Sequence, residues 1–145
     1  MYVKITNGSA VPYSLAQLQR DNPTVSFPRH LSEALAAEWG LAALRMRPQP
    51  AYDRLTETCE EGAPIFEAGQ WTQTWQITQL PEKQAAQCVR SERDNRLTAC
   101  DWVVIRAKEL GQTVPIDWFT YRSDLRQLPQ QPGFPYKVSW PTPPH

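Results

Sequence analysis

Apolar and polar residues alternate most regularly along Gln70-Trp71-Thr72-Gln73-Thr74-Trp75-Gln76-Ile77-Thr78. A period of two places Trp71, Gln73, Trp75 and Ile77 on one face, and Thr72, Thr74, Gln76 and Thr78 on the other. One face is mostly apolar and the other polar, which predicts a half-buried strand of an antiparallel sheet. Trp71 and Trp75 then serve as the core of a small sheet, the more ordinary use, or as an exposed aromatic platform. Tyr2 to Thr6 alternates in the same way, and Asn7-Gly8 marks a turn after it. Leu41 to Met46, closed by Pro48-Gln49-Pro50, is a further strand candidate. So is Tyr52 to Cys59, followed by a turn at Glu61-Gly62-Ala63-Pro64. Between these segments Ser14 caps a short helix over Leu15 to Leu18 that stops before Asn22-Pro23. A second helix, Ser32 to Trp39, ends at Gly40.

The period changes in the second half of the chain. Pro81 opens a helix, as proline does at a first helical position, running from Glu82 towards Leu110 with Gly111 as terminator. Val89, Leu97, Cys100 and Val104 form its apolar stripe, and Arg93 falls on the same stripe. A second helix starts near Pro115 and ends at Leu128-Pro129. Its Trp118, Tyr121, Leu125 and Leu128 follow the spacing of a seam that packs on another helix. The short connection predicts a hairpin. Beyond Pro129 the chain is proline-rich and expected to be extended, with Phe134, Tyr136 and Trp140 making it a docking strap on the hairpin or on a partner. The expected class is α+β: a small N-terminal antiparallel sheet with short helices over 1–80, a helical hairpin over 81–129, and an extended Pro-rich tail over 130–145. The sequence shows no internal repeat and no low-complexity linker.

Composition narrows the function classes. The chain has 145 residues, 41% hydrophobic and 21% charged, enough for one domain or two small ones. Lys plus Arg (15) balances Asp plus Glu (15), so the net charge is zero and no Lys/Arg cluster appears. A nucleic-acid binder normally shows a basic excess or face. Zero charge also removes electrostatic protection against association, which suits a protein that sits against a partner. The start, Met1-Tyr2-Val3-Lys4-Ile5-Thr6, has no signal-peptide pattern, and no run approaches the ~18 apolar residues of a membrane helix. The expectation is a cytoplasmic protein. Cys59, Cys88 and Cys100 are odd in number and far apart, so they read as free, mostly buried thiols. There are 14 prolines, among them Pro129, Pro132, Pro135, Pro141, Pro143 and Pro144 near the end, and six tryptophans, a residue that serves as core or partner anchor.

Candidate chemistry is sparse. A hydrolase or transferase needs a nucleophile with a base, a carboxylate pair or a metal cluster. The two histidines are His30, beside a helix start and read as a surface residue, and His145, the last residue and read as solvated. Cys88 and Cys100 stand twelve apart without a nearby histidine, unlike a zinc site. Neither GxGxxG nor GxxxxGK[ST] occurs. No catalytic residue, cofactor site or metal site is expected. Arg90 with Asp94, and Glu92 with Arg96, are spaced to pair on a helix surface at ~0.2–0.5 kcal/mol each. Arg93, Asp101, Arg122 and Arg126 sit beside apolar or aromatic residues, where an unpaired charge is costly. Asp101 is expected to pair with an arginine of the second helix, with Arg122 favoured.

Arg90-Ser91-Glu92-Arg93-Asp94-Asn95-Arg96-Leu97-Thr98-Ala99-Cys100-Asp101-Trp102 resembles the helix signature R-x-x-R-D-x-x-L-x-x-[CST]-D-W of phage tail assembly chaperones. Trp118 to Pro129 is similar to the family's W-x-x-Y-R-x-x-L-R-x-[LI]-P, Gly133-Phe134-Pro135 to its G-F-P, and Trp140-Pro141-Thr142-Pro143-Pro144 to its W-P-x-x-P. The ordered set spans Arg90 to Pro144, more than a third of the chain, and is specific where its pieces are not. Tyr2 to Ile5, Pro12-Tyr13-Ser14-Leu15 and Asp21-Asn22-Pro23 are similar, more weakly, to the front of many phage tail proteins. One departure concerns the stretch after Asp101-Trp102. There the family usually turns, often through T-Q and a later aspartate, whereas Val103 to Lys108 continues the helix here. The resemblance implies a non-enzymatic tail-fibre or tail assembly chaperone that binds and caps tail-fibre protein during virion assembly. The alternative is a structural component that stays on the fibre or baseplate. It implies a phage tail-fibre or tail protein as partner, expected to be oligomeric, with self-association as a second option and neither nucleic acid nor membrane. Partner contact is expected at Trp102, Trp118, Tyr121, Arg122, Arg126, Phe134 and Trp140. The expected location is the host cytoplasm during assembly, or the virion tail if the protein is retained.

Overall fold

The computed structural model describes residues 1–6 and 8–144; the expectations for Asn7 as a turn residue and His145 as solvated lie outside the described residues. Contacts divide the chain into two compact units. One comprises Met1–Ala51 with Cys59–Ile77, the other Tyr52–Thr58 with Thr78–His145.

In the first unit the N-terminal alternation forms β1 (Tyr2–Thr6). It pairs antiparallel with β2 (Ser9–Tyr13), Tyr2 opposite Tyr13 and Thr6 opposite Ser9. On its other side it pairs antiparallel with β3 (Leu41–Arg45), Tyr2 opposite Ala43. The sequence reading missed β2. Pro12 weakens its pattern, and proline lacks the N–H an inner strand needs. The sheet order β2-β1-β3-β5-β4 resolves this, because β2 is an edge strand. Helix α1 (Leu15–Asp21) begins where expected: Ser14 Oγ accepts from Gln17 N–H at 3.1 Å and Gln17 Oε1 accepts from Ser14 N–H at 2.7 Å. That reciprocal box satisfies two otherwise orphaned donors. Helix α2 (Glu33–Glu38) is capped by Ser32 and leads into Gly40 at φ 67°. Leu18 and Ala36 pack with Tyr13 and Leu41 in one cluster, joined by Tyr2, Leu15, Phe27, Leu31 and Trp39. The Tyr13 hydroxyl donates to Asp21, and this bond holds the phenol pKa above its ordinary value.

Strands β4 (Glu57–Glu67) and β5 (Gln70–Gln79) correct three expectations. Glu61-Gly62-Ala63-Pro64 is strand, not turn. Gly62 is there because Thr74 approaches closely: a Cβ would stand 2.6 Å from Thr74 Oγ1. Pro64 is tolerated because β4 is the other edge. The reversal lies at Ala68-Gly69, with φ 48° and 78°, the positive pair of a two-residue hairpin turn. Second, the sheet is mixed rather than antiparallel. The chain leaves β3 and enters the hairpin from the far edge, so β5 returns beside β3 running parallel to it, Leu44 opposite Trp71 and Arg45 opposite Thr72. Third, the two-faced pattern of β5 fails. Thr72 and Gln73 are both buried, while Ile77 is exposed. Thr72 and Gln73 point to opposite faces, so both faces are covered there; the β3 pairing ends at Arg45 opposite Thr72. Gln73 Oε1 accepts from Arg47 N–H at 3.1 Å, whereas Thr72 Oγ1 has no partner among the described residues.

The second unit holds α3 (Glu82–Ala99), α4 (Asp101–Glu109), α5 (Ile116–Gln127) and a 3-10 turn over Leu128–Gln130. Pro81 sits one position earlier than expected, as the cap, and its carbonyl accepts from Gln84 and Ala85 N–H. The single helix expected up to Leu110 is broken at Cys100, where φ is −112° and ψ 12°. The break turns the following helix so that Val103 and Ala107 are buried, and Val104, expected inside, is only half-buried. Of the three thiols, Cys100 is buried as expected, while Cys59 and Cys88 are half-buried. The α5 seam matches its spacing: Tyr121, Leu125 and Leu128 are buried and Trp118 half-buried. Residues 131–137 form bends and turns, and 138–144 have no regular secondary structure.

Candidate functional site

The helix break is organised by one side chain of α5. Leu97 O, near the end of α3, accepts from Cys100 N–H at 3.2 Å and from the Arg122 guanidinium at 3.0 Å. The same Arg122 nitrogen lies 3.0 Å from Cys100 Sγ, and the other terminal nitrogen donates to Asp101 at 2.7 Å. A planar fork spreads its donors in this way, and a lysine does not. Arg122 thus satisfies a carbonyl freed by the break and pairs with the first acidic residue of α4, as the sequence led us to expect. Burial alone would lower the Arg122 pKa, but the bonds to Asp101 and Cys100 outweigh it and raise the value. Beside this clamp the rings of Trp102, Trp118 and Tyr121 run edge to face, with centroids 6.1 Å and 5.9 Å apart. Burial has the opposite effect on the Tyr121 phenol and raises its pKa.

The segment after α5 lies against this unit. Trp140 packs on the cluster of Cys100, Tyr121 and Leu125, with the Arg96 guanidinium 4.1 Å from its ring centre. Arg90 lies 5.2 Å over Phe134, so Arg90 is stacked on a ring, and Asp94 is paired with Arg93 instead of the expected Arg90. Glu92 and Arg96 pair as the spacing predicted, at 2.8 Å. Arg93 Nε is buried 2.7 Å from the Asp94 carboxylate but makes no well-directed hydrogen bond. Gln131 binds both sides of Ser139, through Ser139 N–H at 2.7 Å and Ser139 O at 2.9 Å. The Tyr136 hydroxyl donates to Leu80 O at 2.7 Å. Gly133 adopts φ 104°, and a Cβ there would come within 3.2 Å of Lys137 O. Pro135 is fully buried, and Phe134 is half-buried.

The seven residues expected at a partner surface therefore occupy different situations. Tyr121 and Arg122 face inward, Trp118, Phe134 and Trp140 are half-buried, and Trp102 and Arg126 are exposed. Sequence reasoning missed Ile105, Leu110, Ile116 and Phe119, which with Trp102 are 54–71% exposed. Their signal was available: Trp102 with Ile105, and Ile116 with Phe119, are three apart and off the buried seam. Large apolar groups left in water within one short stretch of chain, residues 102–119, are candidates for a contact surface. Trp102, Val103, Arg106, Ala107, Gln112, Thr113, Pro115 and Trp118 line a groove there of ≈ 280 Å³. Among the described residues no three His, Cys, Asp or Glu side chains come together as a metal set, and no helix is long and apolar enough to cross a membrane.

Residues 86–145 match the model of a family described as phage tail assembly chaperone protein. The match contains the Arg122 clamp, the aromatic run and the C-terminal segment. No curated protein and no solved structure matches the chain.

Proposed function

Taking as premise that residues 86–145 carry the phage tail assembly chaperone family's pattern, we propose that the chain is a non-enzymatic assembly chaperone that binds and caps tail-fibre protein while the virion is built. One observation carries the reading beyond the family. Among the described residues of the second unit, the large apolar side chains that are exposed, Trp102, Ile105, Leu110, Ile116 and Phe119, fall between residues 102 and 119. Burying them gains roughly 25 cal/mol per Å² of apolar surface, and fixed helices lose little entropy in doing so. The clamp ties the first residue of α4, Asp101, to α5 through Arg122. In this reading Trp102 and the outer edge of Trp118 touch the client, Arg126 lies at the rim, and Tyr121, Arg122, Phe134 and Trp140 hold the surface in shape. The protein works in the host cytoplasm and leaves before the virion is complete.

The test is to express tail-fibre protein of the same phage with and without this chain, and to analyse the proteins of purified virions. The reading expects more soluble fibre protein when the chain is present, a complex of the two in the lysate, and no chain in virions. A fixed ratio of chain to fibre in virions would establish the structural component instead. Unchanged fibre solubility with no complex would overturn both.

A further inference from the structure

We propose that the groove between α4, the Gln112–Pro115 link and the start of α5 is a slot for one apolar side chain of an extended protein segment, with a carboxylate beside that side chain. This rests on the chaperone reading and adds the chemistry of the client segment. At ≈ 280 Å³ the groove is smaller than sites for drug-sized ligands, which run from about 300 to 1,000 Å³, and suits a single side chain. Trp102, Val103, Ala107, Pro115 and Trp118 supply its apolar walls. The two indoles meet edge to face, so the exposed ring of Trp102 forms a fixed side rather than a free flap.

The polar part of the lining decides what accompanies the apolar group. Arg106 is the one charged residue in the lining. It makes no ion pair and no side-chain hydrogen bond among the described residues, unlike Arg122, which has Asp101. A guanidinium beside a slot that takes an apolar side chain complements a carboxylate there and repels a cation. The link supplies the third element. Gln112 N–H donates to Ala107 O at 2.8 Å, whereas the N–H of Thr113, which lines the groove, has no backbone partner among the described residues. A free donor on an irregular link can pair with a carbonyl of an extended segment. A helix uses its own carbonyls internally and offers it no acceptor. The occupant is therefore an extended acidic-apolar stretch of a client protein.

The full chain, labelled with nitrogen-15, is titrated with acetyl-Ser-Asp-Leu-Asp-Ser-amide while the indole N–H signals of its six tryptophans are followed. The signals of Trp102 and Trp118, identified with Trp102→Phe and Trp118→Phe, should move saturably at about millimolar peptide, and the other four should stay. A peptide with lysines for the aspartates should bind about fivefold more weakly, and Arg106→Glu should reverse that preference without changing the melting temperature. The slot is overturned by any of three results: no saturable movement of those two signals, equal affinity for both peptides, or self-association of the chain that competes with the peptide. Its failure is separable from failure of the chaperone reading. If the peptide does not bind but tail protein still co-purifies, the slot assignment alone falls. If the peptide binds but no tail protein is retained, the chaperone reading falls and the slot stands.

Discussion

At the scale of single residues, Arg122 connects the most structure. Its side chain is 11% exposed, while that of Asp101 is half exposed. The pair is therefore worth less through its charge than through the carbonyl and carboxylate the fork satisfies together. Hydrogen bonds involving a charged group contribute about 1.5–3 kcal/mol. Arg122→Lys keeps the charge but loses the fork, and we expect it to lose about 1–3 kcal/mol in urea denaturation. A loss below about 0.5 kcal/mol would mean that Leu97 O and the helix break need no such support. Tyr121 gives a pH signature. Burial raises its pKa in the folded state, so the folded chain holds the phenol proton more tightly than the unfolded chain does. Its contribution is fully present below the ordinary phenol value of about 10 and is lost as pH rises through the folded value. Tyr121→Phe should therefore flatten the fall in melting temperature above pH ~10 relative to the parent chain. Parallel falls in the two would show that Tyr121 titrates as though exposed.

At the scale of elements, the α5 seam and the β4–β5 turn make opposite predictions. Leu125 is fully buried against Cys100 and Tyr121, so Leu125→Ala should cost ~2–5 kcal/mol by denaturant titration. A cost under ~0.5 kcal/mol would remove it from the core. Ala68 holds a left-handed φ of 48°, a conformation asparagine tolerates far better than alanine. Ala68→Asn should stabilise by about 0.5–1 kcal/mol, and a loss of stability would mean the turn is held by something other than its own backbone preference. The two cases also show what a sequence discloses. The seam was legible because Trp118, Tyr121, Leu125 and Leu128 repeat at helical spacing. The cap at Ser14 was legible because a hydroxyl there has a local partner. The turn at Ala68-Gly69 was hidden because alanine is not a residue expected at positive φ, and Gly62-Ala63-Pro64 offered a stronger false signal. The break at Cys100 was hidden for a different reason. It is held by Arg122, 22 residues away and on another helix, and no local pattern records that. The candidate site was half legible on the same grounds. Trp102 and Trp118 carry the family's pattern, but the exposure of Ile116 and Phe119 depends on which face of α5 meets α3.

At the scale of the whole molecule, a chain of zero net charge keeps a set of large apolar side chains in water on its second unit. Exposed apolar area of this kind promotes association. The central claim is that this surface holds a tail protein, and affinity capture tests it most directly. The tagged chain and its Trp102→Ser/Phe119→Ser variant are each expressed during infection, recovered, and compared for bound tail-fibre protein at equal amounts of folded chain. Phe119 is exposed, but Trp102 is partly covered by Trp118, so the variant should melt somewhat below the parent while still folding, and the comparison is made at a temperature where both are folded. The account predicts near-stoichiometric fibre protein with the parent and a reduction of at least about tenfold with the variant, as expected for the loss of two central aromatic anchors. Equal capture by the two chains, or capture of no tail protein by either, would contradict it.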